Sequence, residues 1–595
     1  MSLTDNGRGA FPSTRREFLE QFGLVGGSAL VMSAMRSWEL MAQEAGPKPV
    51  LTGRPNGTRV VVLGAGVSGL VVGYELSKLG YNVHILEARD RVGGVSWTLR
   101  RGATHTEIGG DTQVCNFDEG LYHNAGPWRL PYFHEGILGY CKELGVPLEV
   151  FINENDSSYF YFEGKDIGPL ANKRVRLREV KADMIGYTNE LLAKAVDQDK
   201  LDRKLSKEDK EKLVTFLIGE GYLDTEDYAY KKNTARGEGD PYDFSALLQS
   251  GFHSRIRSVG TGIAVTPMFQ PVGGMDQIPK AFQKKLGDKI TLGAEIVSIH
   301  QSNDGVQVVY ENLKTGAMRQ IAADYCVSCL PLSILKRLEV NLSPEMTKAV
   351  SGQAYSPSAK IGVQMKRRFW EEDDKIFGGH LYTNLPLGEL SYPSWGYFGN
   401  KGIILGFYGS GQLNNLVKKP IKDRVEHVLT QMSKVHPQTR AEFETAYSTF
   451  WERIPYSMGA YSTGGGGGEG RGGQGRGGEG GRGRGGNGER GSGNGGRGRG
   501  NNAEGGRGAD NAEASGRGGN GGRGSDARPA DGMSAEDRLK QIGKPDNRIY
   551  LACAAVSGDG SWQEGAVAAA WKQVKALHER VMATTVTTSG KPTKA

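Results

Sequence analysis

The chain has 595 residues, which is too long for a single hydrophobic core, so the length predicts several domains and excludes a small binding module. Its formal charge is +7, and the stretch from Gly464 to Gly524, with ten Arg against six acidic residues, supplies more than half of it. The rest of the chain is nearly neutral, so the charge does not predict that the whole protein binds nucleic acid.

Residues 1–45 resemble a bacterial twin-arginine export signal. Arg15 and Arg16 precede an uncharged, weakly apolar run of 14 residues from Phe22 to Met35, which is too short to span a bilayer comfortably. We therefore expect a protein exported to the periplasm or the cell exterior, with no stable membrane span. An ordinary amphipathic helix is the alternative for this segment.

The next segment has the pattern of a β–α–β nucleotide-binding unit. Val60 to Leu63 predicts a buried strand, Leu70 to Leu79 a helix and Asn82 to Leu86 a second strand. A GxGxxG motif joins the first strand to the helix, with glycines at Gly64, Gly66 and Gly69. Such glycines permit a tight turn, close approach to a pyrophosphate and packing of the helix on the strand, while the helix N-terminus offers N–H groups to the phosphates.

An acidic residue and a second glycine turn complete this unit. Glu87 ends the second strand, where its carboxylate can accept a hydrogen bond from a ribose hydroxyl, and this argues against a 2′-phosphorylated cofactor. Gly93 and Gly94 follow directly and can approach the same pyrophosphate. This order of elements favours FAD over NAD.

Cysteines and metal-ligand patterns predict no further chemistry. Five cysteines do not make a disulfide framework. Cys326 and Cys329 form a C-x-x-C motif, but it lies in an apolar run typical of a strand, where residues three apart face opposite sides. We expect no redox or metal site there.

The run Glu87 to Gly94 and four later segments resemble the flavin-containing amine oxidase family, which includes monoamine, polyamine and L-amino acid oxidases. The four segments are NAGPWRLP from Asn124, PVGGMD from Pro271 with GAEIVSI after it, AKI from Ala359, and RIYLACAAVSGDGSWQEGA from Arg548. The resemblance implies oxidation of an L-amino acid to an imino acid, then a keto acid and ammonia, with dioxygen as the acceptor and hydrogen peroxide as a product. An amino acid or amine would be the small-molecule partner.

The resemblance also assigns roles to residues. Arg129 would bind the substrate carboxylate together with Tyr392, Trp562 would flank the substrate, and Lys360 would hold a water near the flavin. Contacts to FAD would come from the three motif glycines, from the two glycines of the second turn, and from Glu87, Arg89, Trp128, Ile296 and Glu564.

The chain departs from the family at the cofactor site. Val95 stands where the family commonly has Arg, and the usual Ala-Gly-Glu is replaced by a run that ends at Ala555, so a cation and a carboxylate are missing. Each loss predicts weaker cofactor binding by about 1 to 3 kcal/mol. MGAYSTGG lacks the cysteine that tethers flavin in monoamine oxidases, so we expect non-covalent FAD.

The predicted fold class is α/β, with a discontinuous Rossmann-like FAD-binding domain and an α+β substrate domain containing a mixed sheet and helices. The FAD domain would comprise residues 54–130, 265–350 and 540–580, and the substrate domain residues 131–264 and 351–463. A disordered Gly/Arg-rich insert at 464–535 and a tail at 581–595 complete the chain. The charged helical region from Lys173 to Thr234 is either a lid over the substrate entrance or a solvated face.

Three alternatives to an amino-acid oxidase stay open. A monooxygenase and an amine oxidase or dehydrogenase of the same fold differ in product or acceptor. A flavin-fold scaffold with an RNA-binding Arg-Gly segment belongs to another class, but the insert lacks the aromatic residues that stack on bases, so we do not expect nucleic acid as a partner. A homodimer is compatible with the sequence.

Overall fold

The computed structural model describes residues 47–55, 57–201, 204–232, 234–252, 267–409, 413–463, 532–557 and 562–589. The predicted export signal and nearly all of the Gly/Arg-rich insert lie outside these residues.

The strands lie in short runs along the whole described chain. In chain order they are β1 (Arg59–Leu63), β2 (Asn82–Glu87), β3 (Thr98–Leu99), β4 (Thr104–Thr106), β5 (Thr112–Val114), β6 (His123–Asn124), β7 (Leu130–Pro131), β8 (Leu148–Phe151), β9 (Tyr159–Tyr161), β10 (Val175–Arg176), β11 (Met268–Pro271), β12 (Ile290–Leu292), β13 (Ala294–Gln301), β14 (Val306–Asn312), β15 (Ala317–Ala323), β16 (Tyr325–Ser328), β17 (Glu339–Val340), β18 (Ala354–Ser356), β19 (Ala359–Met365), β20 (His380–Thr383), β21 (Leu390–Ser391), β22 (Gly402–Gly409), β23 (Phe443–Phe450), β24 (Tyr461–Thr463) and β25 (Ile549–Leu551).

The helices connect and cover the sheets. They are α1 (Val67–Leu79), α2 (Glu135–Leu144), α3 (Leu177–Asp197), α4 (Lys207–Gly221), α5 (Phe244–Ser250), α6 (Gln277–Leu286), α7 (Leu332–Leu335), α8 (Pro344–Ser351), α9 (Phe369–Glu372), α10 (Leu413–Leu416), α11 (Ile421–Val435), α12 (Thr439–Glu442), α13 (Ala535–Ile542) and α14 (Gln563–Ser589).

A five-stranded parallel sheet, in the order β12-β2-β1-β16-β25, forms the nucleotide-binding half. Its strands come from three separate stretches of the chain, and the β1–α1–β2 unit lies at its centre. Side chains alternate along β1, so Val60 and Val62 join the core beneath α1, while Val61 and Leu63 join the core on the opposite face. The parallel sheet and its covering helices confirm the predicted α/β class.

The same alternation separates the two cysteines of the C-x-x-C motif. Cys326 is buried in the core that contains Val61, and Cys329 packs against the core beneath α1. Both are free thiols. The described residues contain no cluster of His, Cys, Asp and Glu that could hold a metal ion.

A second, seven-stranded sheet has the order β10-β9-β20-β21-β22-β19-β23. It is mixed, because β9 and β20 are parallel and the other neighbours are antiparallel. β19 lies inside it and all seven of its residues are buried. Any polar side chain on β19, including that of Lys360, is therefore held in the interior of the protein.

The charged region after Lys173 forms α3 and α4, which pack on each other through a small apolar cluster that includes Ala193, Val196 and Leu217. Within the described residues no helix is both long and apolar enough to cross a membrane. The packing of α3 on α4 fits both the lid and the solvated face, so these two interpretations remain open.

Candidate active site

The GxGxxG loop lies between β1 and α1, and each glycine meets a different steric demand. Gly64 has φ +91°, which glycine adopts without strain. A Cβ at Gly69 would lie 1.9 Å from the carbonyl oxygen of Gly64, so only glycine lets the helix approach the strand this closely. A Cβ at Gly66 would meet no atom within 4 Å. Gly66 is the N-cap of α1 and lines the cleft described below, next to the free N–H groups of the helix's first turn.

The second glycine turn packs directly on this loop. Gly93 pairs with Gly66 in a parallel bridge, and its N–H donates to the carbonyl of Ala65 at 2.7 Å. Gly94 has φ +56°, and a Cβ there would come within 3.3 Å of the Cα of Gly66. The two turns thus form one backbone cradle with no side chain at its centre, as a pyrophosphate requires.

Glu87, at the end of β2, has a buried carboxylate. One oxygen accepts the N–H of Ala65 at 2.7 Å and the other accepts the N–H of Arg89 at 2.9 Å. Each oxygen keeps a lone pair for a ribose hydroxyl. The guanidinium of Arg89 donates to the carbonyl of Pro455 and to the hydroxyl of Ser457, both at 2.7 Å.

These groups border a long cleft with about 1280 Å³ of empty space, including the open solvent at its mouth. Ile296 and Trp562 also line it, as do Val95 and Ala555, the two positions where the sequence departs from the family. The glycine cradle, the helix N-terminus and Glu87 fit the pyrophosphate and ribose of FAD. The side chains of Val95 and Ala555 offer no charge, so the cleft meets the rest of the cofactor with apolar surface at these two positions.

Lys360 lies in the interior beyond the cleft. Its ammonium nitrogen donates to the carbonyl of Gly126 and lies 4.6 Å from the centre of the Trp128 ring and 4.9 Å from that of Tyr408. Complete burial and the neighbouring Arg129 lower the pKa of Lys360 well below its usual range. This shift favours the uncharged amine, which is the form that can accept a proton.

Arg129 shares this aromatic environment. Its guanidinium lies 4.9 Å from the ring centre of Trp128 and 6.0 Å from that of Trp562, which links it to the cleft. Nη1 of Arg129 is 3.2 Å from Nε2 of His380 and 3.5 Å from Oε1 of Glu389. Its buried Nε has no hydrogen-bond partner among the described residues.

Glu389 and His380 are site residues that the sequence did not reveal. Oε1 of Glu389 lies 3.0 Å from Nδ1 of His380. Burial lowers the pKa of His380 to about 4, and it also lowers that of His123, next to Lys360, to about 3. Although burial opposes its ionisation, the pKa of Glu389 is lowered by His380, Arg129 and Lys360. No motif marks Glu389, because its role comes from contact with Arg129, a residue far from it in the chain.

Tyr392 does not meet Arg129, and its predicted part in carboxylate binding needs correction. Its hydroxyl lies 2.7 Å from Nε2 of His436, whose Nδ1 is 3.1 Å from Asp374, and all three groups are buried. Glu389 and Tyr392 flank the two-residue strand β21, and Glu389 contacts His380 whereas the Tyr392 hydroxyl is bonded to His436. The Tyr392 side chain belongs to the core of the seven-stranded sheet.

Glu564 is likewise placed away from the cleft. Its two oxygens accept the N–H groups of Gly136 and Ile137, at 2.8 and 2.9 Å, in the first turn of α2. A carboxylate at a helix N-terminus is stabilising there. The structure therefore uses Glu564 to fasten α14 to α2 rather than to line the cofactor cleft.

Trp128 does not line the large cleft either. It lies beside Lys360 and lines a smaller pocket of about 400 Å³, open solvent included, together with His123, Tyr392 and Trp395. The predicted contact of Trp128 with the cofactor stays a prediction.

Sequence comparisons relate the chain to known oxidoreductases. A family model described as flavin-containing amine oxidoreductase matches residues 67–472, and one described as pyridine nucleotide-disulphide oxidoreductase matches residues 27–103. The L-amino-acid oxidase of Gloydius blomhoffii is 28% identical over 431 residues, which cover 69% of this chain and 80% of that protein. The L-amino-acid oxidase of Pseudechis australis is 27% identical over 428 residues, covering 69% and 78%.

Structural comparisons show the same fold. Putrescine oxidase bound to putrescine superposes with a TM-score of 0.50 at 15% identity, covering 89% of this chain and 99% of that chain. Cyclohexylamine oxidase from Brevibacterium oxydans gives a TM-score of 0.53 at 14% identity, covering 88% and all of that chain. At these identities the likeness shows the shared fold alone.

Proposed function

The chain belongs to the flavin-containing amine oxidoreductase family, and we propose that it oxidises an L-amino acid to the imino acid, which hydrolyses to a keto acid and ammonia. It is an FAD-dependent oxidoreductase. We further propose that the FAD is held non-covalently and that dioxygen is the final acceptor, so that each turnover yields hydrogen peroxide.

The observation that carries the amino-acid assignment is the position of Arg129. Its guanidinium lies between Trp128 and Trp562, and Trp562 lines the cofactor cleft. Its Nε–H is buried without an acceptor among the described residues. A buried donor without an acceptor is unfavourable, and a substrate carboxylate would supply one.

The remaining residues orient the substrate and handle its proton. When bound, FAD supplies the two-electron oxidation of the amine-bearing carbon. Trp128, Trp562 and Tyr408 form aromatic walls that exclude water from this carbon. Lys360, whose burial favours the uncharged amine, accepts a proton at Nζ or holds a water there.

Amine oxidation is the second candidate, because Glu389 already neutralises Arg129. A site with balanced charges admits an amine that lacks a carboxylate. A monooxygenase or a dehydrogenase would use the same residues and differ in product or acceptor.

Export is part of this proposal. The arginine pair ahead of the run from Phe22 to Met35 supports transport of a folded, cofactor-loaded protein by the twin-arginine route.

The test compares matched substrates in the flavin-loaded protein. Peroxide production is measured with a panel of L-amino acids and with the amines formed by their decarboxylation. Arg129→Ala should raise KM for amino acids about 30-fold or more, because removing one partner of a buried charge pair costs about 2 to 5 kcal/mol.

In the same variant KM for the amines should change by less than about threefold, a difference below 1 kcal/mol. Arg174→Ala is the matched control, because Arg174 also pairs with a carboxylate, that of Asp374, but in another part of the protein. Equal losses for amino acids and amines would mean that Arg129 is structural and would favour the amine oxidase.

A further inference from the structure

Arg129 already has a carboxylate partner within the protein. Glu389 and His380 both approach Nη1 of Arg129, and they also contact each other. The substrate carboxylate required by the proposed function would therefore be the second carboxylate at one guanidinium.

Glu389 and Arg129 already form an ion pair before any substrate binds. The other groups facing Glu389 are His380 on β20, Lys360 on β19 and Tyr408 on β22. Burial raises the pKa of Tyr408, lowers that of His380 to about 4 and lowers that of Lys360 well below its ordinary value. Within this pair Glu389 supplies the anion that a substrate carboxylate would have to face at Arg129.

We propose that Glu389 and His380 are specificity-determining residues that couple the binding of a carboxylate at Arg129 to the uptake of one proton. This inference rests on the proposed function. When the free site takes up one carboxylate ligand and one proton from solvent, the net charge of the site does not change. A ligand without a carboxylate binds without this proton.

His380 is placed to receive the proton. Its Nδ1 lies 3.0 Å from Oε1 of Glu389, and its Nε2 lies 3.0 Å from Oδ1 of Asn153. An imidazolium has two N–H donors, and these two oxygens are the acceptors they would use once Nη1 of Arg129, which lies 3.2 Å from the same Nε2, turns to the bound carboxylate. The second carboxylate near Arg129 favours the charged form and so raises the pKa of His380 above its value of about 4 in the free site.

Proton uptake determines how the affinity for carboxylate ligands changes with pH. A ligand whose binding takes up a proton binds less tightly as the pH rises through the pKa of His380 in the complex. Carboxylate ligands should therefore weaken above that pKa, and amines should not. Replacing Glu389 by Gln removes the competing anion, so a carboxylate should bind without a proton.

The experiment counts protons by calorimetry. Benzoate, a carboxylate that has no amine to oxidise, is titrated into the flavin-loaded protein at about pH 6, in two buffers with different ionisation enthalpies. The wild type should take up about half a proton or more, and Glu389→Gln about none. At about pH 8, Glu389→Gln should bind benzoate about tenfold more tightly than the wild type.

Controls separate this inference from the proposed function. Benzamide, the uncharged counterpart of benzoate, should bind without proton uptake. Glu163→Gln, which removes a surface carboxylate paired with Lys434, should behave as the wild type. His380→Asn should also abolish the uptake, which keeps the test valid if Glu389→Gln does not fold.

The outcomes are distinguishable. Wild-type binding without proton uptake, or equal uptake in Glu389→Gln, overturns the coupling but leaves Arg129 as the carboxylate site if Arg129→Ala abolishes benzoate binding. Unchanged benzoate binding in Arg129→Ala, or no binding to the wild type, overturns the proposed function and the coupling with it.

Discussion

The two glycines Gly66 and Gly69 should respond in opposite ways to the same substitution. In Gly69→Ala the new Cβ would lie 1.9 Å from the carbonyl oxygen of Gly64, although real Cβ atoms essentially never come within 3.0 Å of another heavy atom. Helix α1 would have to move about 1.1 Å away from Gly64, the residue that follows β1 and whose N–H donates to the carbonyl of Leu86. The clash is with a backbone carbonyl, so no change of side-chain rotamer relieves it.

The free energy of unfolding of Gly69→Ala should therefore fall by about 3 kcal/mol, at the upper end of typical overpacking. At about 2 to 4 °C per kcal/mol, Tm of the flavin-free protein should drop by about 6 to 12 °C. Gly66→Ala should leave this Tm within about 1 °C, because φ at Gly66 is −68° and a Cβ there meets no atom within 4 Å. It should still weaken FAD binding about tenfold or more, because the backbone at Gly66 must approach the pyrophosphate.

Differential scanning fluorimetry of the flavin-free proteins and fluorescence titration with FAD measure the two effects separately. The reasoning fails if Gly66→Ala lowers Tm as much as Gly69→Ala does. It also fails if Gly66→Ala binds FAD as tightly as the wild type, since the cradle would then lie elsewhere in the cleft.

Two further substitutions test Lys360 and Tyr392. Because the folded state lowers the pKa of Lys360, the unfolded state keeps the Lys360 proton to a higher pH. Wild-type stability should therefore rise with pH between the lowered pKa and the ordinary value of 10.5, by up to about 1.4 kcal/mol per pH unit. Lys360→Met should lose this pH dependence of stability when urea unfolding is compared at pH 7 and 9 (about 2 units apart). The variant should keep FAD but reduce or reoxidise the flavin more slowly. An unchanged dependence would mean that Lys360 is charged in the folded protein. Tyr392→Phe should lower the free energy of unfolding by about 1 to 2 kcal/mol through loss of the bond to His436, with KM for amino acids unchanged. A tenfold or larger rise in KM at unchanged stability would instead return Tyr392 to the carboxylate site.

The β1–α1–β2 unit of the nucleotide-binding half could be predicted from the sequence because its motifs lie close together in the chain. The strand, glycine loop, helix and terminal acid occur within residues 59–87, and each glycine answers a constraint set by its immediate neighbours. The C-x-x-C motif was also interpreted correctly from alternation along one strand, since Cys326 and Cys329 pack against opposite faces of the sheet.

The residues at the substrate end of the site could be predicted only in part from the sequence. Arg129 and Lys360 could be singled out by resemblance, but Tyr392 was misplaced because its face of the chain depends on how β21 pairs with β20 and β22. Glu564 was assigned to the cofactor by the resemblance of its segment to the family, whereas its side chain turns toward α2.

The sequence by itself determined the cofactor, the fold class and the oxidoreductase chemistry, because the nucleotide-binding unit is a local pattern and because short segments along the chain resemble the flavin-containing amine oxidase family. Only the tertiary structure decided which charges surround the substrate. Glu389 and His380 lie on or beside paired strands of the seven-stranded sheet, and Arg129, 260 residues from Glu389, precedes β7 of the three-stranded sheet, so they meet only in the folded protein. Since a pKa depends on burial and on charges within a few ångströms, the electrostatics of the site follow from packing and not from sequence spacing.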